Sequence, residues 1–312
     1  MSDSLRHASL RQLSIFATAV EQQSFARAAD VLHLTQPAVS MQMSRLTESV
    51  GLDLFEKSGR NLQVTRAGKA LYPYVKRIMQ TLSEASEEID ALKGLRNGKV
   101  KVALVTTARY FAPKLIARFS ELYPEIKIDF SIANRRAVIE KLETNQVDLA
   151  IMGRTPSRLV VQAEAFADHP YVVVASPDHP FLKRKRLKPQ KLADETFLAR
   201  EPGSGTRMLM DHYFAENSLP KPTLQEMSSN ESIKQSVMAG MGLAFISKHT
   251  IGLECQTGHL ATLDVKGLPI NRTWYVLHLA DKSISPAATA FKAFMLEAAP
   301  GFIQDTFPDT PK

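Results

Sequence analysis

The chain has 312 residues, 44% of them hydrophobic and 23% charged, with a formal net charge of +7. That balance is ordinary for a globular protein, and the length accommodates two or three domains. No apolar run is long enough for a membrane span, the start MSDSLRHASLRQL lacks a secretory core, and the single cysteine, Cys255, excludes an internal disulfide framework. A reducing cytoplasm is the expected setting.

The charge is unevenly placed. Residues 1 to 93 hold 11 basic and 10 acidic side chains against 28 and 22 in the remainder, so net basicity does not locate a nucleic-acid contact. Leu10, Leu13, Phe16, Ala17 and Val20 mark a first amphipathic helix over 10–22. Ser24 caps a second helix with Ala28, Ala29 and Leu32 on one face. Thr35 caps a third, with Pro37 in its first turn and Val39, Met43, Leu46 and Val50 as its apolar stripe. Gly51 ends that helix. Its opposite face carries Gln36, Pro37, Ala38, Ser40, Met41, Gln42, Ser44 and Arg45, small and polar residues suited to a major groove. The periodicity alone also fits a plain αα-hairpin with a solvated outer face. KSGRNLQV has the turn of a β-hairpin wing, with Lys57 and Arg60 placed to meet phosphates.

Further on, Leu71, Val75, Ile78, Leu82, Ala85, Ile89 and Leu92 alternate spacings of four and three. Such a heptad seam calls for a partner helix, expected to be the same helix of a second subunit. Pro73 is expected to bend the early turns, and Gly94 and Gly98 to form a hinge. From Lys99 the pattern is strand, helix, strand, helix, strand, with strands at VKVALV, 126–132 and 147–152 and helices over 112–122 and 137–142, read as a parallel sheet. Strands near 171–175, 197–198, 224–227, 243–246 and 274–279, and helices near 209–214, 233–238 and 287–296, repeat it. Two such lobes with a late return strand suggest a two-lobe α/β module like the periplasmic binding proteins, with a ligand cleft.

Ligands bind at the carboxyl ends of strands in open α/β sheets. Those ends carry Thr106, Thr107 and Ala108; Asn134 and Arg135; Arg154; Arg200, Ser204, Gly205 and Thr206; and Asn230. Hydroxyls at helix starts together with arginines favour a small anion. Individually, each reads better as a helix cap or a surface pair; it is their recurrence at consecutive strand ends that favours a cleft. The basic run KRKRLKPQK at 183–191 reads as a solvated loop. An enzyme finds no support: there is no GxSxG or HExxH, and the eight histidines show no ligand spacing. No catalytic or metal-binding residue is assigned. A solute-binding protein would not need residues 24–50.

TQPAVSMQMSRL followed by GLDLFEKSGRNLQVTRAGKAL resembles the amino-terminal region of LysR-type transcriptional regulators, through Ala28, Ala29, Leu32, Gln36, Pro37, Ala38, Ser40, Leu46, Gly51, Leu54, Phe55, Thr65, Ala67 and Gly68. Thr35, Thr47 and Lys57 stand where Ser, Glu and Arg are usual. The resemblance implies a winged helix-turn-helix over 1–65, a linker helix over 66–93, and a type II two-lobe effector domain over 94–312. Lobe I would take about 94–162 and 268–301 and lobe II about 163–267, with crossings near Gln162 and Gly267. It also implies homodimers or homotetramers on double-stranded DNA with an interrupted palindrome, a small effector and RNA polymerase as a further partner. MGRTP, FISKHTIGLE and WYVLHLADKSISPAATAFKAFM are similar to the CbbR-type branch, which regulates carbon-fixation genes. That points to an activator of carbon-fixation genes, with another metabolic operon as the alternative, and to a phosphorylated Calvin-cycle metabolite or NADPH as co-inducer.

Overall fold

Each of the first three helices starts at a hydroxyl cap. The computed structural model describes residues 8–58, 61–92, 98–220 and 222–308, without the side chains of 57, 58, 61, 84, 87, 88 and 90–92. Its contacts divide the chain into two units, Met1–Ile89 and Asp90–Lys312. In the first unit, α1 (Leu10–Gln22) begins at Ser9, whose hydroxyl accepts from Gln12 N at 3.2 Å while the Gln12 side chain accepts from Ser9 N at 2.9 Å. α2 (Phe25–Val31) begins at Ser24. α3 (Gln36–Val50) begins at Thr35 and stops at Gly51, whose φ of +75° only glycine adopts without strain. Ala28 and Ala29 are buried, which lets α2 approach its neighbours closely around Ile15, Phe16, Val39, Met43 and Leu46. Phe55 closes this core edge-on to Phe16 and Phe25, with ring centroids 5.5 and 5.2 Å apart.

The wing is β1 (Phe55–Ser58) paired antiparallel with β2 (Asn61–Val64). Thr65 joins it to α4 (Arg66–Leu92): its hydroxyl donates to Asp53 O at 2.6 Å and accepts from Gly68 N at 3.1 Å. A side chain at Gly68 would run into the Leu54 carbonyl. α4 is one continuous helix through Pro73. The heptad seam divides in two. Val75 is fully buried and Leu71 half-buried in the core built with α1 and α3, so Val75 serves the fold of its own chain and Leu71 contributes to it in part. Ile78, Leu82 and Ile89 remain 41%, 40% and 52% exposed. Ala85 is also exposed; the Leu92 side chain lies outside the described residues.

The second unit runs β3 (Gly98–Val105), α5 (Ala112–Leu122), β4 (Ile126–Ala133), α6 (Arg135–Glu143), β5 (Leu149–Met152) and β6 (Val161–Ala175). It continues β7 (Thr196–Arg200), α7 (Gly205–Glu216), β8 (Thr223–Met227), α8 (Asn230–Met238), β9 (Ala244–Ser247), α9 (Gly252–Gln256), β10 (Ala261–Thr262), β11 (Ile270–Leu279) and α10 (Pro286–Thr306). Gly98 is not a hinge: it is the first residue of β3, paired with Ile126 and packed on Ala287, where a Cβ would have no room. Gly94 lies outside the described residues.

β3, β4 and β5 are parallel, but β11 runs antiparallel to both β5 and β6, so the sheet is mixed rather than parallel throughout. β6 is the long crossing strand. Its first part pairs with β11, and from Tyr171 onward it pairs with β9 and then β10. β6 starts at Val161, beside the expected crossing at Gln162, and runs unbroken to Ala175. The return follows Gly267, as β11 starts at Ile270. Lobe I packs Leu104, Phe111, Phe119, Ile151, Trp274 and Phe291. Lobe II has apolar clusters around Phe197, Phe214 and Phe245, and around Val172, Leu198 and Ile246. Among the described residues, no helix is long and apolar enough to cross a membrane.

Candidate functional site

Residues that follow the carboxyl ends of the strands come together at the rim between the lobes. There Thr106, Thr107, Arg135, Arg154, Ser204, Gly205 and Thr206, all expected from the sequence, line one cavity of about 650 Å³. Thr107 sits in the 3₁₀ turn after β3, and Arg135 opens α6, which Asn134 caps through Ala137 N at 3.1 Å. Ser204, Gly205 and Thr206 form the start of α7; the Ser204 hydroxyl makes no capping bond there. That helix end presents free N–H groups and a positive dipole.

Sequence reasoning missed the wall supplied by the crossing strands: His169 and Tyr171 of β6, and Asn271, Arg272 and Thr273 of β11. His169 pairs with Arg272 and Asp168 with Thr273, so the register of β6 on β11 sets this wall. Three arginines, Arg135, Arg154 and Arg272, line the cavity, and among the described residues no Asp or Glu does. Arg135 donates to the backbone oxygens of Arg154 and of Thr155, the latter at 2.9 Å, and burial lowers its pKa, helped by the charge of Arg154. Its charge thus lacks a carboxylate partner among the described residues. Burial pushes the Tyr171 phenol up to about 12, so it is a neutral hydroxyl at physiological pH.

His169 of this wall and His249 behind it are neutral. His169 stacks on Trp274 at 3.8 Å and meets Ser247 Oγ at 3.0 Å through Nε2, and burial holds its pKa well below the ordinary histidine value. Trp274 Nε1 donates to His249 Nδ1 at 3.1 Å, and burial lowers His249 to about 4. Gly153 leaves room for the His169 ring, which a Cβ would strike.

Four expected residues do not line the cavity. Ala108 is buried in the lobe I core, and Asn134 is used as a helix cap. Arg200 is 1% exposed and its guanidinium is consumed by Glu201, Thr106 and Asn230; Asn230 is buried with it. The reason is local. Glu201 follows Arg200 directly and folds back to pair with it at 2.7 Å, a feature carried by no helix or strand period.

On α3, Gln36, Pro37, Ser40, Met41, Ser44 and Arg45 are exposed, whereas Ala38 and Gln42 are half-buried. The Thr35 hydroxyl is exposed and accepts from Ala38 N at 3.4 Å; Ser44 donates to Ser40 O at 3.1 Å. Gln36, Ser40, Met41 and Arg45 are thus the exposed side chains not committed to the helix itself. Arg60 and the side chain of Lys57 lie outside the described residues.

A winged helix-turn-helix, a long helix and a two-lobed module around a ligand-sized cavity define a DNA-binding regulator with a small-molecule input. Residues 10–69 match the bacterial regulatory helix-turn-helix protein, lysR family, and residues 93–300 match the LysR substrate binding domain. The chain belongs to the LysR family of transcriptional regulators. It is 44% identical to the HTH-type transcriptional regulator CfxR of Cupriavidus necator over 97% of this chain and 96% of that protein. It is 45% identical to the HTH-type transcriptional regulator CbbR of Rhodospirillum rubrum, over 95% and 99%. The regulatory domain of Synechocystis PCC6803 CcmR in complex with 2-PG is similar in structure, with a TM-score of 0.63 and 33% identity, covering 65% of this chain and all of that one.

Proposed function

We propose that this LysR-type regulator controls carbon-fixation genes from the cytoplasm and responds to a small phosphorylated anion held between its lobes. One observation carries the effector class: the cavity is lined by Arg135, Arg154 and Arg272 and, among the described residues, by no carboxylate. A neutral or cationic ligand would leave the half-buried Arg135 and the exposed Arg154 and Arg272 without a counter-charge in the cavity, whereas a phosphate meets them with charge-assisted bonds. The structurally similar CcmR regulatory domain is in complex with 2-PG, which supports a small-molecule effector at this domain. Relatives named CfxR, CbbR and RuBisCO operon transcriptional regulator support the carbon-fixation role.

The DNA side rests on α3, with Gln36 and Arg45 reading base edges and the wing following the backbone. Ile78, Leu82 and Ile89 of α4 pair two subunits so that two half-sites are engaged together. The effector acts by favouring one arrangement of the lobes, and it changes operator binding only through that preference. A gel shift with the DNA upstream of neighbouring carbon-fixation genes, with and without 2-PG, tests this. A retarded complex whose affinity or mobility changes with 2-PG is the expected result; no complex with that DNA would overturn the assignment of target genes.

A further inference from the structure

The pair of buried Arg200 and half-buried Glu201 lies outside the cavity, yet it touches the cavity through one atom. Arg200 ends β7 in lobe II, and its Nη1 donates to Thr106 Oγ1, at the end of β3 in lobe I, at 3.0 Å. The same guanidinium donates through Nε and Nη2 to Glu201 at 2.7 and 2.9 Å, and through Nη1 to Asn230 Oδ1 at 2.8 Å. Asn134 Nδ2 of lobe I donates to Glu201 Oε1 at 3.4 Å, a second link across the lobes.

A hydroxyl carries one hydrogen and two lone pairs. A guanidinium on the Thr106 oxygen turns the hydroxyl hydrogen away from the positive charge. That hydrogen has no acceptor among the described residues, and Thr106 lines the cavity. We infer, building on the effector reading above, that Arg200 and Glu201 are positioning residues that fix Thr106 as a hydrogen-bond donor to the effector. Thr106 then selects a ligand bearing an acceptor oxygen, and the polarisation by Arg200 strengthens that bond. Glu201 balances the buried charge, so the pair presents direction rather than net charge. Because donor and polariser come from different lobes, an effector oxygen on Thr106 is sensed by both.

The test uses the full chain and calorimetric titration with 2-PG, with glycerol as a neutral probe. Thr106→Val and the double variant Arg200→Met/Glu201→Met should each weaken 2-PG binding about tenfold or more, the loss of one charge-assisted bond. Thr106→Ser should stay within about threefold of wild type. Combining Thr106→Val with the double variant should add little, because both break one relay, whereas a purely structural role for the pair would add. Binding of 2-PG to Thr106→Val within about threefold of wild type, or additive losses, would overturn the inference. Loss of 2-PG binding in Arg154→Ala alone would leave the effector reading standing while the relay fell. Wild-type binding of glycerol without 2-PG would overturn both.

Discussion

Leu82→Ala is expected to loosen the subunit pairing without disturbing the fold of the amino-terminal unit. Fully burying a large aliphatic side chain contributes about 1.5–3 kcal/mol. Ile78, Leu82 and Ile89 still expose 41%, 40% and 52%. Covering those fractions on both copies supplies roughly 4–8 kcal/mol of pairing free energy. Leu82 alone accounts for roughly 1.2–2.4 kcal/mol of it, so its truncation should raise the dimer dissociation constant roughly 10- to 60-fold. Leu82→Asp should go further, since a carboxylate in the seam must be desolvated without a partner. Val75→Ala is the contrasting variant. Val75 is 0% exposed within its own chain, so its truncation should cost about 2 kcal/mol of folding stability and leave the dimer constant unchanged. Analytical ultracentrifugation over a concentration series, paired with thermal melts, separates the two. An intact dimer in Leu82→Asp, or a weakened one in Val75→Ala at full folding, would refute the division of the seam.

Gln36→Ala and Arg45→Ala should each weaken specific operator binding by about 1–3 kcal/mol, with unchanged affinity for unrelated DNA, as titrations on both duplexes would show. Lys57→Ala should weaken all sequences alike and reduce the slope of log K against log salt by about one. Histidines held neutral in the fold make the second unit acid-sensitive. The unfolded chain protonates near the ordinary value of 6.5, the folded His249 only at about 4. The unfolded state therefore binds more protons between them, and stability is full above about 6.5 and lost as pH falls toward 4. The difference is on the order of 3 kcal/mol at pH 4. His249→Gln, which keeps an acceptor for Trp274, should flatten melting temperature against pH in that window; an unchanged slope would remove His249 as its source.

Helices with regular apolar spacing and hydroxyl caps were legible residue by residue, because cap chemistry and period act locally: α1, α3 and α5 fall where their residues place them. The first part of β6 was not. Gln162, Glu164 and Asp168 interrupt any apolar run there, since one side of the strand stays exposed and only β11 gives it a partner. Seven cavity residues were legible as positions that follow strand ends, six of them at helix starts and Arg154 just after β5. Arg272 and Tyr171 were hidden, because a strand that crosses between lobes looks in sequence like one that stays in a core. Leu71 and Val75 share one spacing with Ile78 and Leu82, and period alone does not show where the neighbour changes from the same chain to a second one. Arg200 looked like a ligand contact because a fold-back pair with Glu201 has no sequence signature.

The proposed effector site holds an anion with arginines that have no carboxylate partner among the described residues. Its most direct test is calorimetric titration of the full-length protein and its Arg154→Ala and Thr107→Ala variants with a panel of phosphorylated, neutral and cationic metabolites, alongside operator binding. Phosphorylated anions should bind wild type, lose binding about tenfold or more in both variants, and leave ligand-free operator affinity unchanged. Binding of a neutral or cationic compound with no anion bound would contradict it.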